Sequence, residues 1–89
     1  MKIQGTFIKQ LPIQEGVSAN GQWQRSGFVI QYGDEYTHNL AFSTFGDKVH
    51  LTANIQQGQR VEVSFSVESR EYNDKFYTEC KCFAIQVIN

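Results

Sequence analysis

FSTFGDKVHLTANIQQGQRVEVSF, residues Phe42 to Phe65, changes its period twice. Up to Phe45 the residues alternate: Leu40 and Phe42 share one face, and Ala41, Ser43 and Phe45 the other, as a half-buried strand requires. After Gly46 the apolar positions are Val49, Ala53 and Ile55, which approaches helical spacing, so Asp47 to Asn54 is expected as a short helix of two turns. Asp47 stands at its start, where a carboxylate suits the free backbone N–H groups. Thr52 and Asn54 are weak helix formers within it. Gln56-Gln57-Gly58 then stops the segment, and alternation resumes from Arg60 to Ser69. Val61, Val63, Phe65 and Val67 face one way; Glu62, Ser64, Ser66 and Glu68 face the other.

The same alternation runs outward from this stretch. Ile3 to Leu11 reads as a first strand, ended by Pro12. Gly16 to Gln22 is rich in turn formers and reads as a loop, with Asn20-Gly21 favouring positive φ. Trp23 to Tyr32 is a second strand, with Phe28, Ile30 and Tyr32 on one face and Arg25, Gly27 and Val29 on the other. Thr37 to Phe45 is the third. Downstream of the fourth strand, Tyr72-Asn73-Asp74 makes a hairpin into a last strand, Phe76 to Val87. There the inward set slips from Phe76, Cys80 and Cys82 to Ile85 and Val87, which requires a β-bulge near Phe83-Ala84. Three strands, a short helix and two strands point to an all-β, five-stranded Greek-key barrel with one helix between strands three and four, the OB-fold. An SH3-like barrel competes, but it usually lacks that helix.

At 89 residues the chain reads as a single domain, residues 1–89, with one modest core. Eight Lys and Arg against nine Asp and Glu argue against a polycation that wraps nucleic acid, though not against a local basic stripe. No apolar run approaches the roughly 20 residues that span a bilayer, and no signal-peptide core follows Met1-Lys2. A cytoplasmic protein without a membrane partner is therefore expected. Cys80 and Cys82 lie two apart, on one strand face, a poor spacing for a mutual disulfide. His38 and His50 stand alone where a zinc site needs about four ligands, so no metal and no cofactor is expected. There is no Ser-His-Asp order, no phosphate-binding Gly-rich loop and no paired carboxylates, so the chain does not read as an enzyme.

With these elements in place, Phe42 to Glu79 resembles the bacterial single-stranded DNA-binding proteins. The residues that carry the resemblance are Phe45-Gly46 before the helix, Gly58-Gln59-Arg60-Val61-Glu62-Val63, Arg70-Glu71-Tyr72 and Tyr77-Thr78-Glu79. The first half matches more loosely, through Ile3-Gln4-Gly5 and an Asn-Gly loop. The whole chain also resembles small stand-alone bacterial OB proteins of uncharacterised function, which share the Ser-Arg-Glu-Tyr-Asn hairpin. The resemblance implies that Phe45 and Tyr72 stack on bases, and that the protein is a homo-oligomer, dimer or higher. This chain departs from the pattern at Asp47, which replaces a Lys, at Glu71, which replaces a basic residue, and in having no Gly-rich acidic tail.

Single strands are held by aromatics stacked on bases and cations along the phosphates. Trp23, Arg25, Phe45, Arg70, Tyr72, Lys75, Tyr77 and Lys81 are the residues here that fit that chemistry. With three or four phosphate contacts, binding to single-stranded DNA or RNA is expected to be weak, without sequence specificity and steeply salt-sensitive. Each residue also has a plainer role open to it. Trp23 fits as a cap on the barrel mouth, Phe45 as part of a dimer interface, Tyr72 as a staple on the hairpin. Arg70 fits as a partner of Glu71 or Glu79, and Phe76 by its parity as core. A protein-interaction or assembly module is the alternative reading, and an OB cleft can also take a small ligand or oligosaccharide.

Overall fold

Strand alternation decides which side chains meet, and a computed structural model that describes residues 1–88 shows the result. The elements are β1 (Lys2–Gln10), β2 (Gln14–Ser18), β3 (Gly21–Tyr32), β4 (His38–Phe45), a 3-10 turn (Gly46–His50), β5 (Arg60–Tyr72) and β6 (Lys75–Val87). β1 pairs with β5 through its first half and with β3 through its second. β3 pairs with β4, β5 with β6, and a parallel bridge from Ser43 to Lys81 joins β4 to β6. The ring β1–β3–β4–β6–β5 is thereby closed, and the architecture is the OB-fold barrel.

Inside the ring lie Phe7, Phe28, Ile30, Phe42, Val61, Val63, Phe65 and Cys82. Four phenylalanines run across it in sequence. Phe7 meets Phe28 at 5.9 Å between ring centroids, Phe28 meets Phe42 at 5.1 Å, and Phe42 meets Phe65 edge-on at 5.1 Å. These separations suit aromatic pairs, which add to the gain from burial alone. One end of the barrel is polar. The Gln10 side-chain amide donates to Ser26 Oγ at 2.7 Å, Ser26 Oγ donates to the Leu11 carbonyl at 2.9 Å, and Thr52 Oγ1 bonds to Gln10.

Three local expectations are revised. Gly16 to Gln22 is not a loop: it forms most of a hairpin in which β2 pairs with β3 from Gln14↔Arg25 to Ser18↔Gly21, adding a sixth strand outside the ring. The segment after Phe45 is not a two-turn α-helix. Leu51, Ala53 and Ile55 donate to the carbonyls of Lys48, His50 and Thr52, each three residues back. That bonding brings residues three apart onto one side, so Val49 and Thr52 are buried while Ala53 is exposed.

The third revision is Phe76, which is 69 % exposed and not core. Its parity is the inward one, since Glu71↔Phe76 continues the series Val61↔Val87, Val63↔Ile85 and Phe65↔Cys82. But the barrel ends before it. Every residue from Ser66 to Thr78 is exposed, so the outer halves of β5 and β6 form an arm that leaves the barrel wall. The radius of gyration, 14.0 Å, exceeds the about 12 Å of a compact chain of this length, consistent with that arm. The bulge expected near Phe83-Ala84 is present: Ser64 pairs with Ala84 and Phe65 with Cys82, which leaves Phe83 as the extra residue.

Candidate functional site

The pairing registers put all eight residues named above on one side of the sheet. Trp23 and Arg25 share the outward face of β3, and Arg25 lies directly across from Phe45 of β4. Lys81, on the outward face of β6, is level with Ser43, two residues before Phe45 on its strand. Farther along the arm Arg70 is opposite Tyr77, and Tyr72 is opposite Lys75. The opposite side of β3, β4 and β5 is the phenylalanine core, so a single alternation supplies both the core and the site.

Phe45 is the centre. The Arg25 guanidinium lies 5.5 Å from its ring centroid and the Lys81 ammonium 5.3 Å, within the range of cation–π attraction. These cations come from the strands on either side, β3 and β6. Phe45 nevertheless keeps 38 % of its surface exposed. Trp23 is held by a different device. Its indole lies over Gly16, its cross-strand partner, so closely that a Cβ there would run into the ring. A glycine in β2 thus sets the tryptophan's position, and 43 % of Trp23 stays exposed. A cleft of about 430 Å³ between Trp23 and Phe45 links the two.

Three of the four cations are paired with acids. Arg25 reaches Glu79 at 3.4 Å, and Glu68 receives both Lys81 and Arg70, the latter at 3.9 Å. The hydrogen bond and charge of Lys81, with a smaller part from Arg70, hold the Glu68 carboxyl below its usual range. Arg70 therefore pairs with Glu68, not with Glu71 or Glu79. Glu71 is opposite Phe76 on the far side of the arm, and the acids that pair with the site's cations are Glu68 and Glu79.

A groove of about 550 Å³ joins Arg25, Arg70 and Tyr77 where β4 and β6 diverge. Tyr72 and Lys75 lie beyond it, at the arm's tip, where Asn73 and Asp74 carry positive φ of 51° and 64°. Tyr72 is 69 % exposed there and touches no other aromatic ring among the described residues. Two further residues border Phe45 that sequence reasoning did not select, Lys48 and Phe83. The slip in alternation was the signal for Phe83, because the extra residue of a bulge is turned out of the regular pattern.

Cys82 belongs to the core. Burial pushes its thiol up to about 11, against the smaller opposing effects of a backbone hydrogen bond with Ala84 and the charge of Lys48. Both cysteines are free thiols. Among the described residues, no cluster of His, Cys, Asp and Glu is placed to hold a metal ion, and no helix is long and apolar enough to cross a membrane.

Comparison with known proteins agrees with this architecture. The yeast mitochondrial single-stranded DNA-binding protein Rim1 from S. cerevisiae superposes with a TM-score of 0.74 at 16 % identity, over 99 % of this chain and 92 % of that one. The dimeric N-terminal domain of PriB from Thermoanaerobacter tencongensis gives 0.65 at 18 % identity, over 100 % and 94 %. A small single-stranded DNA-binding protein from Streptomyces coelicolor gives 0.58 at 14 %, over 99 % and 90 %. Identities this low establish a shared fold. No curated protein matches the sequence. A domain family does match, across residues 2–86, and on that match the chain belongs to the family described as Domain of unknown function (DUF3127).

Proposed function

We propose that the outward face of β3, β4, β5 and β6 binds single-stranded DNA or RNA without sequence specificity, as a binding module rather than an enzyme. The observation that carries this reading is Phe45, half-exposed and flanked by Arg25 and Lys81. An exposed ring offers a stacking platform for any base, and neighbouring cations meet the phosphates on either side. Trp23, Tyr77 and Tyr72 extend the aromatic series along the same face, with Arg70 and Lys75 beside them. The fold is shared with proteins described as single-stranded DNA-binding, which supports the reading. Because Glu68 and Glu79 already engage three of the cations, binding is weak and sensitive to salt.

Titration with oligo-thymidylate at low salt tests this. Trp23 fluorescence is quenched, and with three or four phosphate contacts log K falls against log salt with a slope of about −2 to −3. Absence of both quenching and a gel shift at low salt rejects the proposal. A second reading, a protein-interaction or self-assembly module, draws on the other side of the arm, where Val67 and Phe76 are exposed. It predicts a salt-insensitive oligomer, and a strict monomer in light scattering counts against it.

A further inference from the structure

A cleft of about 270 Å³ lies between Phe45 and Phe83, with Lys48 and Lys81 on its rim and Ser66 and Cys82 completing it. Its size falls below the about 300–1,000 Å³ of drug-sized pockets, so it takes a group no larger than a base. It differs from the neighbouring clefts in charge. Asp47 lines the cleft on the Trp23 side and Glu79 the groove toward the arm, whereas no carboxylate lines this one. Lys48 forms no ion pair among the described residues, and its ammonium only reaches the Phe83 carbonyl at 3.4 Å. Phe83 is out of the core because β6 carries one extra residue there, and it is 49 % exposed.

We infer that this cleft is a nucleotide subsite: one base of a bound single strand sits against Phe45 and Phe83, and its phosphate is met by Lys48. The inference rests on the proposed function and adds to it a direction. The strand crosses the barrel from Trp23 over Phe45 to Phe83, through clefts that share Phe45, instead of running out along the arm. Phe83 is then a second stacking platform, and Lys48 supplies the cation of this cleft that pairs with no acid among the described residues.

The test is titration of oligo-thymidylate into wild type, Phe83→Ala, Lys48→Gln and Phe76→Ala, with folding checked by circular dichroism. All three side chains are exposed, so the variants fold. Phe83→Ala is expected to lose about 5- to 150-fold in affinity, the range for one stacked base. Lys48→Gln makes the salt slope shallower by about 0.7, one phosphate's share on a single strand. Phe76→Ala, on the other side of the arm, binds as wild type does. If wild type binds while Phe83→Ala and Lys48→Gln match it in affinity and slope, the subsite is wrong and the broader function stands. If Phe76→Ala loses as much as Phe83→Ala, the effect is not local and the subsite is again wrong. If wild type does not bind, the function itself fails and the subsite with it.

Discussion

Glu68 sets how much of the basic stripe is available to a ligand. It takes Lys81 and Arg70 at once, and Lys81 is also one of the two cations at the Phe45 ring. A phosphate approaching Phe45 must displace this carboxylate from Lys81. Since the pairing lowers the pKa of Glu68, the acid stays ionised throughout the neutral range and mild acidification does not release it. Substitution does. Glu68→Gln is expected to raise affinity for oligo-thymidylate by about two- to fivefold at low salt, the size of an exposed ion pair's coupling, and to steepen the salt slope. An affinity equal to or below that of wild type would mean that Lys81 and Arg70 do not meet phosphate. This competition was only partly legible in the sequence. The acids were visible, and parity puts Glu71 on the face away from Glu68, but parity could not show that Glu68 and Glu79 close on the stripe.

The arm formed by β5 and β6 is an element without a core. Its residues pair in register from Glu68↔Glu79 to Tyr72↔Lys75, and only the turn and cross-strand contacts such as Ser69 to Thr78 at 2.9 Å hold its outer part. Both turn residues, Asn73 and Asp74, have positive φ, the geometry of the tight turn that matches strand twist. Asn and Asp tolerate it; alanine does so poorly. Replacing both with Ala is expected to abolish hydrogen-exchange protection at Arg70 and Tyr77 while leaving that of Phe28 and Val63 unchanged, because the tip opens independently of the barrel. A global loss of protection would show that the arm is part of the cooperative unit. The hairpin and the bulge at Phe83 were both readable from alternation and turn residues. Where the barrel stops was not. Val67 and Phe76 continue the inward pattern past the last core contact, since hydrophobic parity reports a face and not whether anything lies against it. For a related reason β2 was hidden: Gln14 to Ser18 has little apolar character, and what orders it is pairing with β3 and the packing of Trp23 on Gly16.

On the scale of the whole molecule, one sheet separates the core from the face to which the proposed function assigns binding. Even-numbered residues of β3 and β4, Phe28, Ile30 and Phe42, fill the barrel, and odd-numbered ones, Trp23, Arg25 and Phe45, form the outer face. Stability and affinity should therefore respond to different residues only three positions apart. Phe28 is fully buried between Phe7 and Phe42. Its truncation to Ala removes a ring from a close-packed interior, at a cost of about 3–5 kcal/mol. For a domain of this size each kcal/mol moves Tm by about 4–8 °C, so Phe28→Ala should melt at least about 12 °C lower. Cooled below that transition, it should still bind oligo-thymidylate within about twofold of wild type, as its outer face is intact. Phe45→Ala should do the reverse: a half-exposed ring leaves no internal cavity, so Tm changes little, while affinity falls by about 5- to 150-fold with the stacked base. Thermal melts and low-temperature titrations of the two variants measure both quantities. If Phe45→Ala lowers Tm as far as Phe28→Ala without changing affinity, Phe45 is a packing residue and the outer face is not where the ligand sits.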